Sequence, residues 1–186
     1  MKTVILAIIL VTLSIDALTQ GVFSNATNIA LEKVIQDYPN RFRNIKGAVL
    51  LENAQATNYE SSVKIPGSLS CIVSQSNARN REVLSWKADL FTSANFGEAR
   101  QKYAELFNQI KNTIIKFNGS KPYILTGQYT SPDEARPFHA VVFNMLPATG
   151  DLQKVKVEIS LEQQGANWKL QLAIYDDREE QFVHVQ

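Results

Sequence analysis

Few side chains in this sequence combine the type and the spacing that chemistry requires. His139 and His184 are its only histidines. His139 stands in the run Pro137-Phe138-His139-Ala140-Val141, just after a turn signalled by Ser131-Pro132-Asp133. A histidine acting as general base needs a carboxylate within reach to orient it. Asp133, or Glu134, across that turn is the partner the spacing offers. The weak catalytic candidates are therefore His139 and Asp133, and the chemistry would be that of a small hydrolase or isomerase. The plainer account is a strand histidine with no catalytic role. His184 falls in the polar carboxyl-terminal tail and reads as solvated.

Cys71 is the only cysteine, so no intrachain disulfide can form. It would act as a nucleophile only if paired with a histidine, and His139 is the one available. Its neighbours Ser70 and Ile72 form no recognisable nucleophile loop, so a small apolar strand residue is the simpler role. There is no G-x-S-x-G elbow, H-E-x-x-H helix, C-x-x-C pair or EF-hand loop. Gly119-Ser120-Lys121 lies between a helical pattern and a strand, the reverse of a phosphate-binding loop. Neither a metal nor a cofactor is expected. Arg41 and Arg43 flank Phe42 and would suit an anionic ligand, though a solvated helix end explains them equally. Trp86, Trp168, Tyr123, Tyr129 and Tyr175 all fall on strand patterns, where large aromatics serve cores as readily as binding grooves. No ligand-binding residue can be named on this basis.

Lysine and arginine total 19 against 18 aspartates and glutamates, which leaves no basic stripe for nucleic acid. At the amino end Lys2 precedes an uncharged run over residues 3–15 rich in Val, Ile and Leu. That run is shorter than the roughly 20 apolar residues a membrane crossing needs, and it matches the apolar region of a secretory signal. Ala17 and Thr19 supply the small residues of a cleavage site. A signal peptide over 1–19, a single domain over 20–186 and a secreted or periplasmic address are expected, with no stable membrane span after cleavage.

The elements that would carry these residues follow from periodicity. Leu31, Val34, Ile35, Tyr38 and Phe42 fall on one helical face, with Ser24, Asn25 and Thr27 as caps and Pro39 as an interruption before a short helical restart over 40–45. Strand patterns follow at 48–52, 59–65, 69–73 and 83–91. Ala99, Tyr103, Leu106, Phe107, Ile110 and Ile114 form the stripe of a second helix, capped by Asn95 and stopped by Asn118-Gly119. Four further strands are predicted at 123–130, 138–146, 155–161 and 168–174. The last two alternate apolar and polar residues, the mark of antiparallel strands with one dry and one wet face.

The expected fold is α+β: a predominantly antiparallel twisted sheet with two amphipathic helices on one face. Its order, α-ββββ-α-ββββ, suggests an internal duplication spanning 25–91 and 95–175. Two short echoes accompany it, Phe42-x-x-Ile45-Lys46 with Phe107-x-x-Ile110-Lys111, and Trp86-Lys87 with Trp168-Lys169. The leading functional expectation is an exported, non-enzymatic binding or accessory protein. It would hold a protein or a small apolar ligand on the sheet or in the groove beside the helices. The alternatives are the enzyme built on His139 and a structural subunit that pairs through a sheet edge.

Overall fold

The computed structural model describes residues 20–78, 81–117, 119 and 121–176. The expected leader, His184 and the acidic tail beyond Asp176 lie outside the described residues. The chain runs through helix α1 (Gln20–Asp37), strands β1 (Lys46–Glu52), β2 (Ala56–Ser61), β3 (Ser70–Ala78) and β4 (Arg81–Ser93), and helix α2 (Phe96–Ile110). It continues through β5 (Ile114–Ile115), β6 (Tyr123–Thr126), β7 (Phe138–Leu146), β8 (Val155–Gln164) and β9 (Asn167–Asp176). The strands form one open antiparallel sheet in the order β1-β2-β3-β4-β9-β8-β7-β6-β5.

Alternation explains the centre of this sheet. On β4 Trp86 and Ala88 are fully buried, and on β9 Trp168, Leu170, Leu172 and Ile174 are buried at every second position. Val155, Val157, Ile159 and Leu161 do the same on β8. Helix α2 packs over β4, β8 and β9. It presents Ala99, Tyr103, Leu106, Phe107 and Ile110 inward, and its Phe96 ring lies 4.9 Å from that of Trp168. Each large side chain withdrawn from water in this way contributes roughly 1.5–3 kcal/mol. Asn95 caps α2, its Oδ1 accepting from Glu98 N at 3.2 Å. Glu98 turns to the Ser93 hydroxyl instead of closing a capping box.

Several expectations need correction. α1 is already helical at Gln20, so Ser24, Asn25 and Thr27 sit inside it and do not cap it. Residues 41–45 do not restart a helix; Arg41 and Phe42 both adopt positive φ, and Asp37 organises the turn. Its carboxylate accepts from Asn40 Nδ2, Asn44 N and Asn44 Nδ2 at 2.6–3.1 Å. α2 ends at Ile110, well before Asn118-Gly119, and Ile114 leaves its stripe for β5, where it is 52% exposed. Leu69 lies outside β3 and is exposed. The face expected to be wet is partly dry: Ser85, Glu158 and Ser160 are buried. Asp176 closes β9 and accepts the Tyr38 hydroxyl at 2.5 Å.

β1 forms one edge of the sheet. Val49, Leu50 and Leu51 are each more than half exposed there, and two register shifts against β2 interrupt its pairing.

Candidate functional site

The structure brings His139 and Asp133 together, but through the main chain. His139 is half-buried on β7, on the same side as the buried Val141, Phe143 and Met145. Its Nε2 lies 2.8 Å from Asp133 O, 3.1 Å from Arg136 O and 3.2 Å from Asp133 N. The Asp133 carboxylate faces elsewhere, its Oδ1 accepting from Ala135 N at 3.1 Å. One ring nitrogen thus gathers the 133–136 turn against the start of β7. In this arrangement a proton-transfer role would have to break the contacts that hold the turn.

Cys71 and His139 are not brought together. Cys71 is on β3 and His139 on β7, with β4, β9 and β8 between them. Four strand spacings of about 4.8 Å separate these strands, roughly 19 Å in all. Cys71 is buried with its sulfur 3.2 Å from Ser68 Oγ. Arg41, in the turn after α1, pairs with Glu82 at the start of β4, while Arg43 and Asn44 line a shallow polar hollow with Pro39 and Asn40. Of the aromatics, Trp86, Trp168 and Tyr175 are buried. Tyr129 stacks its ring 5.0 Å from Phe107, and Tyr123 lies 5.7 Å from Phe117. Among the described residues no group of three His, Cys, Asp or Glu side chains is placed to hold a metal.

The feature best shaped to hold a molecule is a groove of about 290 Å³ between α2, α1, β4 and the loop at 65–67. Its apolar lining is Ile65, Pro66, Leu90, Phe91, Leu106 and Leu170. A bulge in β4 makes this lining. Asp89 pairs with Gln171 and Phe91 with Leu170, so β4 spends one extra residue, Leu90, against β9. Leu90 and Phe91 consequently line the groove together, although neighbours on a regular strand face opposite ways. Thr27, Lys102, Glu105 and Gln109 supply the polar part of the wall. Lys102 Nζ bonds Glu105 Oε2 at 2.9 Å, and this hydrogen bond holds the Glu105 carboxyl below the usual range.

The sequence pattern named none of this groove's residues as ligand-binding. Leu90-Phe91 was the available signal, two large apolar residues in succession where a half-buried strand should alternate. Among the described residues no helix is long and apolar enough to cross a membrane. Comparisons with family models, curated proteins and solved structures return no match.

Proposed function

We propose that this chain is an exported, non-enzymatic binding protein that carries a small, largely apolar ligand in the groove between α2 and the bulged end of β4. The observation that carries the reading is the groove itself. It is open, its floor is apolar, and a few polar groups stand together on its wall, the usual composition of a ligand site. Its volume of about 290 Å³ suits a compact ligand. The apolar part would lie on Leu90, Phe91 and Leu170, and a polar head would meet Lys102, Glu105 and Gln109. The lack of a free carboxylate at His139 favours binding over catalysis. Exposed Val49, Leu50 and Leu51 give a weaker case for a sheet-edge subunit, because bulges of the kind found in β1 obstruct edge pairing.

The same reading places both helices on one face of the sheet and derives the fold from a duplicated α-ββββ unit with a signal peptide ahead of it. Contact between α1 and α2, and the sharing of one groove by Thr27 of α1 and Leu106 of α2, support the common face. The strand order supports duplication: apart from β5, it runs outward from the β4–β9 centre as β4-β3-β2-β1 and as β9-β8-β7-β6. Trp86 pairs with Ile174, and Trp168 pairs with Ser93 near the other end of the same two strands. The Phe42 and Phe107 echo lends nothing, since the first lies in a turn and the second in a helix.

The test is displacement fluorimetry with an apolar naphthalene dye on wild type and on Leu90→Trp. The wild type should bind the dye saturably, and the filled groove should weaken it about tenfold or more while the protein stays folded. Absence of saturable binding by the wild type, or equal binding by a folded Leu90→Trp, would sink the reading.

A further inference from the structure

The sheet face opposite α2 carries a second cavity, of about 180 Å³, lined by Asn58, Ser70, Ile72, Ser74, Lys87, Asp89, Lys169 and Gln171. It lies across four adjacent strands, β2, β3, β4 and β9. Its polar groups are unevenly committed. The Asp89 carboxylate is fully engaged: Oδ1 accepts from Gln171 Nε2 at 2.7 Å and Lys169 Nζ at 3.0 Å, and Oδ2 accepts from Ser70 Oγ at 3.1 Å. Glu158, the other nearby carboxylate, accepts the Tyr175 hydroxyl at 2.8 Å. Lys87 differs. It is half-buried, and among the described residues no hydrogen bond or ion pair reaches its ammonium. Burial, with the charge of Lys169 next, pulls its proton affinity below that of an ordinary lysine, while Asp89 and Glu158 oppose this from a distance.

A lysine ammonium drawn partly out of water loses hydration that a counter-charge in contact restores. Both carboxylates near Lys87 are held by other donors. A partner for its ammonium can come from outside, through the cavity that Lys87 lines. Two lysines and one aspartate line that cavity, which leaves a net charge of +1 facing the space. We propose that this trough is a binding site for a carboxylate group, with Lys87 as the ion-pairing residue and Lys169, Ser74 and Asn58 arranged around it. A volume of 180 Å³ equals about six water volumes at about 30 Å³ each. It suits a short organic acid or a single acidic side chain. The site lies on the opposite side of the sheet from the groove and does not depend on it.

The experiment is a titration of the purified protein, carrying ¹³C at the lysine ε-carbons, with propionate and separately with N-acetylglutamate N-methylamide. Saturable shifts at the Lys87 resonance are expected, together with an upward move of its titration midpoint when the carboxylate is bound. Lys87→Met should weaken binding at least about tenfold, the loss of one charge-assisted hydrogen bond. Lys64→Met, which removes an exposed lysine paired with Glu60 outside the trough, should leave it unchanged. Binding of propionate alone assigns the site to a free acid; binding of the blocked glutamate as well assigns it to an acidic side chain. The wild-type midpoint decides the matter even if Lys87→Met does not fold. No saturable shift at Lys87 with either compound, or an unmoved midpoint, overturns the proposal.

Discussion

Trp86 Nε1 donates a hydrogen bond to Ser61 Oγ at 2.9 Å, and neither residue is exposed at all. The serine in turn donates to Val63 O at 2.8 Å, so one hydroxyl ties the central strand β4 to the end of β2. Ser61→Ala should leave the indole N–H buried without an acceptor and cost about 1–3 kcal/mol. In a thermal melt that is a fall of several degrees, and an unchanged midpoint would show that water replaces the serine.

Tyr103 presents the opposite case. Its side chain is buried on the inner side of α2, and among the described residues its hydroxyl has no hydrogen-bond partner. Burial accordingly raises its proton affinity strongly. Replacing an unsatisfied buried hydroxyl with hydrogen is neutral or favourable. Tyr103→Phe should match or exceed the wild type by up to about 2 kcal/mol in denaturant titration.

Gly127 is required by contact. A Cβ there would meet Phe143 Cδ1 at 2.7 Å, and Phe143 is fully buried. Gly127→Ala must displace a packed ring, at a cost of about 1–3 kcal/mol. The companion Gly127→Ala/Phe143→Leu should recover part of the loss.

Asp89 should govern acid stability. Burial pushes its carboxyl up, but hydrogen bonds from Gln171 and Lys169 and the charge of Lys169 outweigh this and hold it below the ordinary value of 3.8. A depressed carboxyl contributes stability above its unfolded pKa and loses it as the pH falls through the folded one. Asp89→Asn should cost about 1–3 kcal/mol at neutral pH. Its deficit against wild type should shrink below about pH 4.

Lys87 should show a slope of the same sign at high pH. Its native-state affinity for a proton is lowered, so between the native pKa and the ordinary 10.5 the unfolded chain binds more protons. Stability contributed at this site therefore rises with pH across that alkaline window. Lys87→Met should flatten the wild-type curve there, as read by denaturant midpoints.

Much of the scaffold was legible because burial of one face leaves a period. Val155 to Leu161 and Trp168 to Ile174 alternate, and both are strands with those residues inside. The stripe from Ala99 to Ile110 is α2. Periodicity failed where another term controlled the backbone. Ile114 continues the helical spacing, yet Asn112 takes a positive φ and sends the chain into β5. The turn after Pro39 depends on the reach of Asp37 to Asn44, a contact that no spacing rule reveals. Both cavities were hidden for a related reason. Lys87 and Asp89 look like ordinary solvent-side residues until neighbouring strands wall them in. Leu90 looks like core until a register shift directs it to a groove.

That shift sets the two sides of the sheet end to end on one strand. Before it, Lys87 and Asp89 belong to the charged side; immediately after it, Leu90 and Phe91 belong to the greasy one. Losing Leu90, the extra residue, would restore a regular ladder with Asp89 still opposite Gln171 and Phe91 still opposite Leu170. The charged trough would keep its pairing while the groove lost one of its apolar walls. The chain length between Asp89 and Phe91 therefore tunes one surface without disturbing the other.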